Sequence, residues 1–120
     1  MATILAVDDS TSMRQMLAFT LQSAGHEVHE AGDGQAALDI ARTTAMDLVI
    51  SDVNMPVMDG ITLVKSLRAL GECRFTPILL LTTEASPEKK MEGKTAGATG
   101  WIVKPFNPEQ LLATVQRVLG

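Results

Sequence analysis

The sequence is poor in several residue types that mark particular classes of protein. Its single cysteine, Cys73, cannot form an internal disulfide bond, which favours a reducing compartment and predicts a cytoplasmic protein. Aromatic residues make up only 3% of the chain. No apolar run approaches the roughly 20 residues that cross a bilayer, and the N-terminal residues lack the basic start and cleavage site of a signal peptide. A secreted or membrane-spanning protein is therefore not expected.

Clustered positive charge is also missing. The formal net charge is −4, and no basic cluster exceeds Lys89-Lys90. Nucleic acid is a poor candidate for a direct partner, because affinity for its phosphates comes from clustered Lys and Arg. The chain has 120 residues, of which 46% are hydrophobic and 20% charged, as is typical of one globular domain. We expect a single domain over residues 1–120.

Short apolar runs alternate with longer amphipathic segments along the chain. The runs predict five strands, at Thr3–Val7, Glu27–Glu30, Asp47–Ser51, Pro77–Thr82 and Gly100–Val103. Five helices are predicted to follow them, with the N-terminal capping residues Ser12, Asp33, Asp59, Ser86 and Asn107. This alternation, with central strands that are apolar throughout, predicts an α/β fold in which helices cover both faces of a parallel sheet.

Two of the predicted helices have features that the structure can test. The first helix is predicted to place Met16, Leu17 and Leu21 on one apolar face together with Met13. The fourth helix has little to bury apart from Met91 and a few alanines. We therefore expect the fourth helix to be weakly anchored, and to be a moving or partner-facing element.

Polar residues of unusual type stand where the predicted strands end. Asp8 and Asp9 come at the end of the first strand, Asp52 of the third, Thr82 of the fourth and Lys104 of the fifth. In a parallel sheet these positions meet at one edge, where open α/β sheets bind their ligands. Neighbouring carboxylates repel one another, and a hard cation that prefers oxygen ligands relieves the repulsion. The pattern therefore predicts a Mg²⁺ site at this edge.

Four motifs stand at the ends of the predicted strands: Val7-Asp8-Asp9-Ser10, Ser51-Asp52-Val53-Asn54-Met55-Pro56-Val57-Met58-Asp59-Gly60, Leu81-Thr82-Thr83-Glu84 and Val103-Lys104-Pro105-Phe106. Together they resemble the receiver family of two-component response regulators, and the resemblance covers the whole chain. Within that family the chain closely resembles the single-domain chemotaxis regulators. The resemblance implies a flavodoxin-like, doubly wound, five-stranded parallel sheet of order 2-1-3-4-5 with five helices.

The resemblance also implies a role for each residue of the site. Asp52 is the phosphoacceptor, Lys104 pairs with the phosphoryl oxygens, and Thr82 donates a hydrogen bond to the phosphoryl group. These roles suit phosphoryl transfer, which depends on an in-line nucleophile and on neutralisation of the equatorial oxygens. The implied ligands of Mg²⁺ are Asp9 and Asp52 directly, the backbone carbonyl of Asn54, and Asp8 mainly through water.

Three further expectations rest on the same resemblance. Trp101 occupies the position of the switch aromatic residue, with ordinary packing as its alternative role. Asn54 and Glu84 flank the path of the attacking water and are expected to make the phosphoryl group short-lived. The Lys104-Pro105 bond is a candidate cis peptide, since X–Pro bonds adopt the cis form at modest cost.

The implied function is that of a monomeric signalling protein rather than an enzyme, although it assists its own phosphorylation and dephosphorylation. The expected partners are a histidine kinase, in particular a chemotaxis kinase, the flagellar motor switch protein and a phosphatase. A generic phosphorelay receiver outside chemotaxis is the main alternative. An aspartyl-phosphate phosphatase of the haloacid-dehalogenase type is less favoured, because Asn54 stands where that family needs a second Asp.

The predicted architecture also occurs in flavin carriers and in the receivers of longer transcription factors. A flavin carrier would need a hydroxyl-rich phosphate loop and aromatic residues to stack on the flavin, whereas here the loop begins with two acids. The chain could also be a receiver cut from a longer transcription factor. The final helix ending at Gly120 favours a complete chain.

Overall fold

Five strands and five α-helices alternate along the chain in the computed structural model, which describes residues 2–83 and 86–120. The strands are β1 (Thr3–Val7), β2 (Glu27–Ala31), β3 (Leu48–Asp52), β4 (Ile78–Thr82) and β5 (Gly100–Val103). The helices are α1 (Thr11–Ser23), α2 (Gly34–Thr43), α3 (Gly60–Ala69), α4 (Pro87–Ala96) and α5 (Pro108–Leu119), with a short 3-10 helix at Gly71–Cys73. All neighbouring strands are parallel, in the order β2-β1-β3-β4-β5. The predicted fold is confirmed.

Two apolar cores lie on opposite faces of the sheet. One contains Leu5 and Val7 of β1 with apolar residues of α2, α3 and α4, and the other contains Ile4 and Ala6 of β1 with residues of α1 and α5. Alternate residues of one strand enter different cores because successive side chains point to opposite faces. Every residue of β3 and β4 is buried, which explains why these strands are apolar apart from Ser51 and Asp52 in β3 and Thr82 in β4. Within the described ranges, no helix combines the length and the apolarity needed to cross a membrane.

Local capping signals place four of the five helix starts correctly. The side chains of Asp33, Asp59, Ser86 and Asn107 each accept a hydrogen bond from a backbone N–H in the first turn of the helix that follows. These bonds satisfy donors that have no partner within the helix.

The predicted start of the first helix is wrong by two residues. The cap is Ser10, whose Oγ accepts from the backbone N–H of Met13 at 3.3 Å, and Ser12 lies inside α1. The apolar face of α1 is also narrower than predicted. Leu17 and Leu21 are fully buried, whereas Met16 is 55% exposed, because the residue next to Leu17 points about 100° away from it around the helix.

Helix α4 is anchored through its C-terminal half. Of its ten residues only Gly93 and Ala96 are buried, and Met91 is 63% exposed. The guanidinium of Arg68 in α3 donates to the carbonyl of Gly97, the C-cap of α4, from Nε (3.1 Å) and Nη2 (2.9 Å). The same group donates from Nη1 to the carbonyl of Thr76 at 2.6 Å. The C-terminal end of α4 is therefore tied to α3 and to the loop before β4.

The thiol of Cys73 should react slowly with alkylating reagents. Cys73 lies on the 3-10 helix, is 2% exposed and belongs to the core that contains residues of α2, α3 and α4. Burial, and then the charge of Glu72, raise the pKa of the thiol above its ordinary value of 9.0. Both effects reduce the reactive thiolate. We expect alkylation by iodoacetamide at least about a hundredfold slower than in urea, since the reaction needs local opening of the fold. Comparable rates in the two conditions would show that the thiol is accessible in the folded protein.

Candidate functional site

The carboxyl ends of four adjacent strands carry the residues that the sequence singled out. Asp52 is the last residue of β3 and Thr82 is the last residue of β4, whereas Asp8 and Lys104 directly follow β1 and β5. The four strands lie side by side and parallel, so their carboxyl ends share one edge of the sheet. Asp8, Asp52 and Thr82 are all buried there. Polar groups at such depth need partners, because an unpaired buried charge is costly.

The acidic residues of this edge form a compact cluster. Carboxylate oxygens of Asp8, Asp9 and Asp52 all lie within 4.8 Å of one another. Asp9 is exposed at the mouth of the cluster, while the other two residues are buried. Such an all-oxygen donor set, open to water on one side, matches the preference of Mg²⁺ for carboxylate ligands and retained water molecules. The residues present therefore fit a magnesium ion.

Lys104 connects the two buried carboxylates. Its Nζ lies 3.1 Å from Oδ2 of Asp8 and 3.0 Å from Oδ1 of Asp52, and its side chain is 12% exposed. The bond between Lys104 and Pro105 is cis, as predicted. One ammonium thus serves two carboxylates, and Asp9 adds a third negative charge nearby. The cluster keeps an excess of negative charge that a divalent cation would neutralise.

The electrostatic environment shifts the titration of Asp52. Burial is the largest influence and raises the pKa of this carboxyl above its ordinary value of 3.8. The charge of Asp8 raises the pKa further, whereas the hydrogen bond and charge of Lys104 and the backbone N–H of Asn54 lower it without cancelling the rise. The metal-free site therefore holds Asp52 in a state that takes up a proton more readily than a free aspartate.

Lys104 itself stays protonated. Burial alone would lower the pKa of its ammonium group, but the hydrogen bonds to Asp52 and Asp8, together with their charges, outweigh burial and raise the pKa above 10.5. The side chain therefore offers a permanent positive charge at neutral pH. That charge lies 3.0 Å from Oδ1 of Asp52, the residue expected to accept the phosphoryl group.

The loop after Asp52 is held under steric constraint. Gly60, the first residue of α3, donates its backbone N–H to the carbonyl of Val53 at 2.8 Å. A Cβ at position 60 would lie 2.9 Å from Cα of Val53 and would collide with the backbone oxygen of Asp52. Val57 has φ of 69°, in the left-handed region that a β-branched residue rarely adopts. Neither constraint is predicted from the sequence, in which Asp59-Gly60 indicates only a helix start.

Of the two residues expected to tune the lifetime of the phosphoryl group, only Asn54 lies among the described residues. Asn54 is exposed beside the cluster, and its backbone N–H bonds to the Asp52 carboxylate. Its predicted role as a carbonyl ligand of Mg²⁺ stays a prediction. Glu84 lies outside the described residues.

Trp101 packs in the space left by a glycine of α4. It is half-buried in β5, where it pairs in register with Leu80. A Cβ at Gly93 would lie 2.5 Å from Cζ2 of the indole and 3.1 Å from its Cε2. Trp101 also lines an open groove of about 450 Å³, together with Val103, Phe106 and residues of α5. The indole therefore lies between the buried face of α4 and an accessible surface.

A Gly93→Ala substitution should push the indole toward solvent. The gain in helix propensity, about 1 kcal/mol, is opposed by an overpacking cost of about 1–3 kcal/mol, so we expect a small net loss of stability. Trp101 is the only tryptophan and tyrosine is absent, so the fluorescence reports this side chain alone. Acrylamide should quench the variant more strongly than the unmodified protein. Thr95→Ala, at an exposed position of the same helix, is the control; equal quenching of both variants would show that Gly93 does not restrain the ring.

Comparison with known proteins agrees with this geometry. A family model described as the response regulator receiver domain matches residues 4–116. Chemotaxis protein CheY-3 of Vibrio cholerae is 39% identical over 116 residues, which are 96% of this chain and 89% of that protein. The transcriptional regulatory protein SrrA of Staphylococcus aureus is 36% identical over 97% of this chain, but the chain spans only 47% of SrrA.

Solved structures give the same result. Chemotaxis response regulator CheY4 of Vibrio cholerae superposes with a TM-score of 0.94 and 63% sequence identity, over 98% of each chain. The receiver domain of sensor histidine kinase PA1611 from Pseudomonas aeruginosa has a TM-score of 0.92 and 29% identity over 99% of this chain and 98% of its own, and it carries a magnesium ion in its active-site cleft. The phosphatase and flavin-carrier hypotheses find no support in these matches. The chain belongs to the response regulator receiver domain family.

Proposed function

We propose that this chain is a single-domain response regulator of chemotaxis, which accepts a phosphoryl group on Asp52 from a histidine kinase in a Mg²⁺-dependent reaction. The observation that carries the proposal is the position of Lys104, which bonds to both Asp8 and Asp52 while Asp9 completes an acidic cluster. Receiver family membership and the similarity to CheY proteins support it. The similarity to SrrA favours the second candidate, a receiver that acts outside chemotaxis.

The chemistry follows from the carboxylate of Asp52. An ionised oxygen of Asp52 attacks the phosphorus of the donor, the new O–P bond forms, and the P–N bond of a phosphohistidine breaks. The leaving imidazole keeps the electron pair and takes up a proton. When bound by Asp8, Asp9 and Asp52, with the Asn54 carbonyl, Mg²⁺ would supply positive charge that favours the ionised acceptor and neutralises phosphoryl oxygens. Lys104, whose Nζ lies 3.0 Å from Oδ1 of Asp52, would supply a second positive charge.

The output would arise from the new charge on Asp52. A phosphoryl group carries about −1.5 to −2 charges and strong acceptor oxygens, so Lys104 and the hydroxyl of Thr82 would be drawn toward it. Thr82 lies in the strand next to Trp101, and its movement would bias the position of the indole. The surface of α4, β5 and α5 would then shift between two pre-existing states. The groove beside Trp101 belongs to this surface.

The proposed partners follow from the same assignment. A chemotaxis kinase would be the donor and the flagellar motor switch protein the output partner. Asn54 and Glu84 would admit the attacking water, so that self-catalysed hydrolysis, aided by a separate phosphatase, ends the signal quickly. The chain would act as a cytoplasmic monomer.

Acetyl phosphate tests the proposal directly. The purified protein is incubated with it in the presence of Mg²⁺ or of EDTA, and intact mass is recorded over time. We expect one phosphoryl adduct, formed only with Mg²⁺, removed by hydroxylamine as an acyl phosphate should be, and lost within minutes after the donor is removed. No adduct under conditions that label another receiver would overturn the proposal. An adduct that forms but does not increase binding to motor-switch fragments would support the receiver outside chemotaxis.

A further inference from the structure

A second positively charged side chain, that of Arg14, lies beside the acidic cluster and has no part in the chemistry described so far. Arg14 lies in the first turn of α1, with its side chain 19% exposed. Its Nη1 donates to the backbone carbonyl of Asp8 at 2.7 Å. Its Nε pairs with Oε1 of Glu30 in β2 at 3.3 Å. One guanidinium therefore connects α1, the end of β1 and the end of β2.

The surroundings hold this guanidinium in place. A Cβ added at Gly32 would lie 3.4 Å from Nη1 of Arg14, which places the guanidinium beside the loop after β2. The ion pair with Glu30 holds the Nε atom of the same planar guanidinium. An arginine held at several points loses little further freedom when it donates to a carbonyl.

The bond from Arg14 acts on the link between two acidic residues. The carbonyl of Asp8 belongs to the peptide unit that joins Asp8 to Asp9, and this unit is rigid and planar. Holding its oxygen therefore sets the direction in which the chain leaves β1 and enters Asp9. The side chain of Asp8 is fixed separately, because its Oδ1 accepts from the backbone N–H of Ser10 at 2.9 Å. Arg14 thus supports the backbone and Ser10 supports the carboxylate.

We propose that Arg14 is a positioning residue for the cation site, which holds the Asp8–Asp9 peptide so that both carboxylates converge with Asp52. The proposal rests on the proposed function, since it assigns Arg14 to the Mg²⁺ site of the same cluster. Groups that orient metal ligands without touching the metal typically change metal affinity about 10–100-fold when removed. Because Arg14 acts through the backbone, we expect the lower end of that range.

The direction in which Mg²⁺ affinity changes when Arg14 is replaced distinguishes a positioning role from a purely electrostatic one. A guanidinium repels a nearby cation, so loss of its charge alone would tighten Mg²⁺ binding. Loss of a positioning contact would weaken the binding instead. The two explanations therefore predict opposite changes in the same measured dissociation constant.

The experiment is a calorimetric titration of Mg²⁺ into the full chain and its variants. Arg14→Met, which keeps the apolar stem and removes the charge and donors, should raise the dissociation constant about tenfold. Arg14→Lys should recover a large part of this loss, because an ammonium can still donate to the Asp8 carbonyl. Arg42→Met, which removes an exposed arginine paired with Asp39 on α2, should leave the dissociation constant unchanged.

Labelling kinetics give a second readout. For Arg14→Met, the Mg²⁺ concentration that gives half the maximal rate of labelling by acetyl phosphate should rise by the same factor. The rate at saturating Mg²⁺ should stay close to that of the unmodified protein, which a general loss of structure would not produce. If Arg14→Met does not fold, Glu30→Gln keeps the arginine, loosens its restraint, and should weaken Mg²⁺ binding by a smaller factor.

The outcomes for Arg14 and for the receiver assignment can be told apart. Unchanged or tighter Mg²⁺ binding by Arg14→Met, while the unmodified protein binds Mg²⁺ and is labelled, would overturn the role of Arg14 alone. Failure of the unmodified protein both to bind Mg²⁺ and to accept a phosphoryl group would overturn the proposed function and this role with it.

Discussion

An Asp52→Asn variant is expected to form no phosphoryl adduct with acetyl phosphate. The amide of Asn is a poor nucleophile, and the other buried carboxylate, Asp8, keeps Lys104 as its ion partner at 3.1 Å. Intact mass spectrometry should therefore show full loss of labelling. Asp39→Asn is the matched control, because Asp39 lies exposed on α2 and bonds only to neighbours on the same helix in the described structure. Labelling of the Asp52 variant at a normal rate would place the acceptor elsewhere.

The same substitution should alter how stability depends on pH. Burial and the charge of Asp8 raise the pKa of Asp52 in the folded state, while the unfolded chain keeps a value near 3.8. Between these two values the folded state binds more protons than the unfolded state, so stability falls as pH rises. The contribution of Asp52 is fully present below pH 3.8 and is lost as pH rises through the folded pKa.

The Asp52→Asn variant has no titratable group at this position, so its stability lacks this dependence on pH. In EDTA, its free energy of unfolding should therefore increase relative to that of the unmodified protein as the solution is brought from acid to neutral pH. Urea unfolding at several pH values measures the difference. Saturating Mg²⁺ should reduce or reverse it, since a ligand that binds only the folded state stabilises that state. A difference that does not change with pH in EDTA would show that the pKa of Asp52 is the same in both states.

Gly60→Ala should be among the most damaging single substitutions in this chain. The added Cβ would collide with the backbone oxygen of Asp52 and lie 2.9 Å from Cα of Val53. Both contacts are with backbone, so the start of α3 or the end of β3 must move. We expect a loss of about 3 kcal/mol in the free energy of unfolding. Because Asp52 itself would be displaced, labelling by acetyl phosphate should also slow by a factor of about 10 to 100.

The control for this substitution is Gly71→Ala. Gly71 has an ordinary φ, and a Cβ there would meet no atom within 4 Å, so the change should alter stability by no more than about 1 kcal/mol, in the stabilising direction. Urea unfolding and the initial rate of labelling are measured for both variants. Equal behaviour of Gly60→Ala and Gly71→Ala would mean that the end of β3 yields easily, and that Gly60 does not position Asp52.

Much of the fold could be predicted from local signals in the sequence. The apolar runs of β1, β3 and β4 coincide with strands to within one residue, because strands buried on both faces require apolar residues at nearly every position. Capping side chains identified four helix starts because a cap acts within its own first turn. The cap at Ser10 was missed because three hydroxyl residues in succession offer the same local chemistry. The bend at Asp9, where the Asp8 carboxylate accepts from the backbone N–H of Ser10, selects among them.

The candidate site was predicted in part, and the contacts that were not predicted depend on the tertiary structure. Acidic residues and a lysine at strand ends can be recognised in the sequence, because charge is unusual at the end of an apolar strand. The contacts of Arg14 and Arg68 cannot be recognised in this way, since each guanidinium donates to carbonyl groups that folding brings near. Arg14 donates to the carbonyl of Asp8, and Arg68 donates to the carbonyls of Gly97 and Thr76. Carbonyl groups are present at every residue, so no sequence pattern reveals which of them a guanidinium will meet.

The sequence by itself determined the strands and helices, the class of the fold, and the residue types available at the carboxyl edge of the sheet. The tertiary structure alone decided that one ammonium, on Lys104, would lie within 3.1 Å of both Asp8 and Asp52, and that Gly60 and Gly93 would leave room for a backbone oxygen and for the Trp101 indole. The physical reason is one of range. Periodicity and capping act over a few residues, whereas ion pairing and steric fit act between atoms that only the order and register of the strands bring together.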